Sequence, residues 1–157
     1  MAATVEQTLQ AEIESRKHIE NVRRIMTKMF HDLLDRMQNH DRSKLEEPEA
    51  PVLAEYTPLL AKSTYGSPEY QSLLQKMKEG FLDHHYRISR HHPEHFGDGI
   101  NGMNLLDLIE MIADWKAATL RHDDGDIRKS IEHNKERFGL SDQLVAILLN
   151  TVELFEK

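Results

Sequence analysis

From about Glu6 to Gln38 the chain places Ile13, Ile19, Val22, Ile25, Met26, Met29, Phe30, Leu33 and Leu34 at helical spacing, with no glycine or proline among them. This pattern predicts one long amphipathic helix. Pro48 and Pro51 in "NHDRSKLEEPEAP" interrupt it, and "YTPLLAKSTYGSPEY" reads as turns and short pieces passing over the core. Ser67 before Pro68 predicts the start of a second helix. That helix is expected to run through "EYQSLLQKMKEGFLDHHYRISRHH" until Pro93, because a residue before proline is disfavoured in the α region, so His91 and His92 are expected at its end. "FGDGING" reads as a loop, after which Asn104 caps a helix through about Leu120, and "GDIRKSIEHNKERF" and "SDQLVAILLNTVELF" form two more. No strand pair or repeat is apparent. The expected fold is all-α, a single compact bundle of about five or six helices over 1–157, with C-terminal helices at 126–155 packing on the rest.

A length of 157 residues, 39% hydrophobic and 30% charged, fits one soluble globular domain. No stretch approaches the roughly 18 apolar residues of a membrane span, and "MAATVEQTLQAEIE" lacks the charged-then-apolar order of a signal peptide, so a cytoplasmic protein is expected. The absence of cysteine rules out disulfides, thiolate zinc sites and a thiol nucleophile. Any tightly bound metal must then use imidazole and carboxylate ligands. A formal net charge of -7 argues against a general nucleic-acid surface, which needs an excess of lysine and arginine.

Those ligand types are concentrated. His84, His85, His91, His92 and His95 fall in a short stretch, followed by Asp107, Glu110 and Asp114 inside an apolar run. The three acids share one helical face, and for Asp107 and Glu110 the wet side of an amphipathic helix competes with a chemical role. Asp114, between Ala113 and Trp115, needs a cation or several hydrogen bonds to stay ionised in such surroundings. His40 and Asp41 are adjacent, with Lys44 one turn beyond. A second His-Asp pair, His31-Asp32, lies across the helix from Val22, Ile25 and Met29, whereas His18 lies within about 40° of those three and is expected to face the core. Glu14 precedes His18 by one turn on the same face.

In order, His18, "HDRSK", "HHPEHFGDGI" and "IADWKAAT" resemble the HD superfamily of metal-dependent phosphohydrolases over about residues 14–120. The resemblance is nearest to its HD-GYP branch of cyclic-dinucleotide phosphodiesterases, and the chain is also similar to short uncharacterised bacterial and phage proteins. It implies that His18, His40, Asp41 and Asp114 form a primary metal site, that His91 and His92 complete a second, that Lys44 contacts phosphate, and that Glu14 is an extra ligand. "GDGINGMN" departs from the branch in lacking the tyrosine and proline of its signature. The histidine expected on the preceding helix is also absent at the usual separation. His84 or His85 can replace it, since each lies seven residues before one of the pair, about two helical turns, with His85 and His92 preferred.

The expected activity is hydrolysis of a small phosphoester, with a nucleotide as its class, at two divalent ions (Mn, Fe, Mg, Co, Ni or Zn). Asp41 would bridge them, Lys44 would meet a phosphate oxygen, and His95 or Glu94 would protonate the leaving oxygen. Trp115, Tyr86 and Phe96 are offered as base-stacking rings against the simpler reading of core residues. Two rivals use the same ligands: a di-iron oxygenase acting on a small molecule, and a non-catalytic helical domain held by a structural metal. A homodimer is compatible with any of these.

Overall fold

The computed structural model describes residues 3–63, 67–120 and 125–155. Residues 64–66, inside the stretch read as turns, lie outside the described residues. The described residues are all-α, with seven α-helices and no strand. Among them no helix is long and apolar enough to cross a membrane.

The chain divides into two units, Met1–His40 and Asp41–Lys157. The first consists of helix α1, Val5–Asn39, started by a capping box in which the Thr4 hydroxyl accepts from the Gln7 backbone while the Gln7 side chain accepts from the Thr4 N–H. No residue of α1 is buried. His18, expected to face a core, is exposed, because a single helix encloses nothing by itself. The charges of α1 are answered along the helix, Glu12 by Arg16 and Glu14 by Lys17.

In the second unit, a 3-10 turn over Arg42–Leu45 leads to α2, Glu49–Leu60, whose last residues fall in the stretch read as turns. Pro51 is tolerated because it lies in the first turn, where backbone N–H groups have no helical partner. Pro58 lies in the last turn. Helix α3, Pro68–Met77, opens with the Ser67 cap and passes through a π-helical turn, Lys78–Leu82, into α4, Asp83–Ile88. A Cβ on Gly80 would come to 3.0 Å of Val52 Cγ2, so the glycine lets this turn approach α2 closely.

Helix α4 ends at Ile88 instead of running to His92. Ser89 turns extended, and the next residue, Arg90, reaches Asp107 through two hydrogen bonds of 3.1 and 3.0 Å. An ion pair to a buried carboxylate seventeen residues away thus outweighs local helix propensity. His91 and His92 consequently lie in a turn. The loop to Asn104 includes Gly102, where a Cβ would meet the Phe96 Cβ at 2.7 Å, and only glycine fits that approach.

Helices α5 (Leu105–Thr119), α6 (Ile127–Phe138) and α7 (Asp142–Val152) carry the core. Met111, Ile112, Ile127, Ile131, Leu148 and Val152 are buried there, each worth roughly 1.5–3 kcal/mol relative to exposure. Trp115 is part of this core, stacked on Phe138 at 6.2 Å, and is not a base-stacking ring. Asn104 caps α5 with Asp107, Gly139 at φ 63 ends α6, and Ser141 caps α7. The C-terminal helices thereby fix α5, which faces the histidine turn.

Candidate metal centre

Asp41 opens the second unit with φ 54, a left-handed conformation uncommon outside glycine and better tolerated by aspartate than by most residues. Its Oδ1 lies 3.3 Å from His85 Nε2 and 3.4 Å from His91 Nε2. His85 Nε2 is in turn 3.1 Å from His92 Nε2. Four ligand atoms from α4, the turn after it and the start of the unit converge, and His85, His91 and His92 form a group able to hold a metal ion. Side chains that ligate one ion at about 2.0–2.2 Å have neighbouring donor atoms about 3.0–3.6 Å apart, and the observed separations fall in that range.

The opposite ring nitrogens explain the orientation. His85 Nδ1 lies 3.0 Å from Glu49 Oε2, and His91 Nδ1 lies 3.2 Å from Glu110 Oε1. An imidazole that donates Nδ1–H to a carboxylate has its tautomer fixed and turns the Nε2 lone pair toward the centre, the arrangement that orients histidine ligands in metalloproteins. Glu49, at the first residue of α2, is fully buried and also receives His84 Nδ1 at 2.8 Å. Neither Glu49 nor Glu110 was expected among the site residues.

Electrostatics favour a ligand state at neutral pH. Burial lowers the His92 pKa, charge on His91 and His85 lowers it further, and despite Asp114 and Asp41 it is pushed down to about 3. His92 is therefore a neutral imidazole. Burial pushes the Asp41 carboxyl up, but its contacts with His85, His91 and Lys44 outweigh this and hold the group well below the usual carboxylate range. The Asp41 carboxylate and the neutral His92 imidazole beside it fit a divalent ion with mixed N/O ligation.

A family model for a "Family of unknown function (DUF5662)" matches residues 7–154. The chain belongs to this family. No curated protein and no solved structure matches it.

Within this DUF5662 chain the expected site residues take up different surroundings. Asp41, His85, His91 and His92 are brought together, with Lys44 Nζ paired to Asp41 Oδ2. His85 and His92 meet although the segment between them is not helical, so the two-turn alignment invoked for them does not operate. His84 turns instead to Glu49. Asp114, half-buried on α5, lies close enough for its charge to act on His92 and Tyr86. His40 caps the end of α1 immediately before Asp41. Glu14 and His18 are exposed residues of the first unit, Glu14 bonded to Gln10 and Lys17. Glu94 Oε1 pairs with Arg137 Nη2 at 2.7 Å. His95 packs edge-on to Phe96, its Nδ1 buried without a hydrogen-bond partner among the described residues. Tyr86 lies against the centre, its ring 4.9 Å from that of His92, and burial followed by the Glu94 charge raises its pKa.

Proposed function

We propose that this DUF5662 chain is a metal-dependent phosphohydrolase acting on a small phosphoester of the nucleotide class. The observation that supports it best is the doubly oriented pair His85 and His91, each with Nδ1 on a carboxylate and Nε2 directed at Asp41 Oδ1. Asp41, His85, His91 and His92 would hold the first ion, and Asp114, whose charge already acts on His92, is the nearby acid for a second. A divalent ion bound there supplies Lewis acidity toward a phosphoryl oxygen and a nucleophile at neutral pH.

The remaining roles belong to the protein. Lys44, half-buried against Asp41, holds that carboxylate ionised and offers a cation to a non-bridging phosphate oxygen. Glu94 pairs with Arg137, and His95, whose Nδ1 has no hydrogen-bond partner among the described residues, is the candidate proton donor to the leaving oxygen. The resemblance to HD phosphohydrolases in "HDRSK" and "HHPEHFGDGI" supports the same reading.

The test is a turnover screen of nucleotides and cyclic dinucleotides with Mn²⁺, Mg²⁺, Fe²⁺, Co²⁺ and Ni²⁺, on protein purified without chelator. Release of a phosphate product that stops on chelation is expected. Oxygen consumption by an iron-loaded protein without phosphoester turnover would replace the reading with a di-iron oxygenase. A metal whose removal melts the fold, with neither activity present, would make the ion structural.

A further inference from the structure

Beside the histidine turn lies a cleft of about 680 Å³, lined in part by Lys78, Tyr86, Arg87, Glu94, His95 and Arg137. Its size is that of a small-molecule site. Its charge runs against that of the chain: three cations face it against the carboxylates of Asp83 and Glu94, in a protein of net charge -7. It also adjoins the candidate centre directly. Tyr86 lines the cleft with its ring tilted against that of His92, and Glu94 and His95 follow His92 in the same turn.

Resting on the phosphoester reading, we infer that this cleft binds a second phosphate group of the substrate, separate from the one at the histidine centre. Arg137 is the anchor. Its guanidinium lies 4.6 Å from the Phe138 ring centroid, and its Nη2 donates to Glu94, so the planar fork is fixed by two contacts before any ligand arrives. Glu94 occupies it as an internal anion. A phosphate, with more acceptor oxygens and more charge, would displace that carboxylate and take the bidentate contact. Arg87 and Lys78, exposed at the rim, add charge that draws an anion toward the cleft. A substrate with two phosphate-bearing positions would thus be gripped at one end by Arg137 while the other end reaches the histidine centre.

Isothermal titration of the full chain with inorganic pyrophosphate tests this, run on protein as purified and again after chelation. In the chelated protein Arg137→Gln and Arg87→Gln should each weaken binding about tenfold, and Glu94→Gln should tighten it by removing the internal competitor. Metal content should stay at the wild-type level in all three. Arg42→Gln, which removes an exposed cation paired with Glu46, controls for general charge. Equal weakening by Arg42→Gln, or wild-type affinity in both Arg137→Gln and Arg87→Gln, would overturn the inference. If Arg137→Gln fails to fold by circular dichroism, the rim variants Arg87→Gln and Lys78→Gln decide the matter by the same criterion. Failure of the underlying reading has a different signature: arginine-dependent pyrophosphate binding in a wild-type protein that holds no metal keeps the anion site and removes the phosphohydrolase.

Discussion

Helices α1 and α5 carry the same kind of sequence pattern and use their acids in opposite ways. Over 35 residues, α1 fully buries no residue, and Glu12 and Glu14 bond to side chains three or four positions away, to Arg16 and Lys17. Over 15 residues, α5 buries Asp107, Met111, Ile112 and Trp115, and its acids find partners far along the chain: Asp107 holds Arg90, and Glu110 holds His91. An acid answered within its own helix is a solvated surface feature worth a few tenths of a kcal/mol. An acid answered by a residue from another segment fixes where that segment runs. In α5 the segments so fixed are the turn carrying His91 and His92, so the difference between the two helices is also a difference between scaffold and site.

Asp107→Ala should break this distinction most severely. It removes the partner of Arg90 and one arm of the α5 capping box, and a loss of about 3 kcal/mol in chemical denaturation is expected. The turn at His91 should loosen with it. Lys44→Met should leave folding and metal content intact and lower phosphoester turnover on the order of 10²-fold, measured as kcat/KM. Glu110→Gln keeps the shape of the side chain but weakens the contact that orients His91, and about a tenfold drop in metal affinity by competitive chelation is expected. Glu12→Ala on α1 should change stability by less than about 0.5 kcal/mol, since its partner is an exposed neighbour. A cost for Glu12→Ala as large as that for Asp107→Ala would erase the contrast between the helices.

The comparison also shows how much was legible in the sequence. Helical periodicity and the Thr4, Ser67, Asn104 and Ser141 starts are local signals, and the all-α class follows from them. The gathering of His85, His91 and His92 with Asp41 was within reach because their residue types pointed to one chemistry. The true end of α4 was hidden, since the Arg90–Asp107 pair that ends it joins residues on different elements. Glu49 was hidden for a similar reason. It lies between Pro48 and Pro51 where the helical pattern is interrupted, and nothing local marks it as the buried partner of His84 and His85. Glu110 carried a usable signal: it shares a face with Asp107 and Asp114 on a helix that is apolar nearly all round, where a solvated acid face has little room. His18 misled because its phase on α1 matches an apolar stripe, and phase alone does not say whether a stripe is covered.

Under the proposed reading, Asp41, His85, His91 and His92 would hold a divalent ion, with Glu49 and Glu110 orienting the histidines. Elemental analysis of the full chain purified without chelator, beside His91→Ala, tests it directly. The account predicts one or two equivalents of a divalent transition metal in the wild type and background levels in a folded His91→Ala. A wild type without metal after incubation with Mn²⁺, Fe²⁺, Co²⁺, Ni²⁺ and Zn²⁺, or a His91→Ala that retains its full complement, would contradict it.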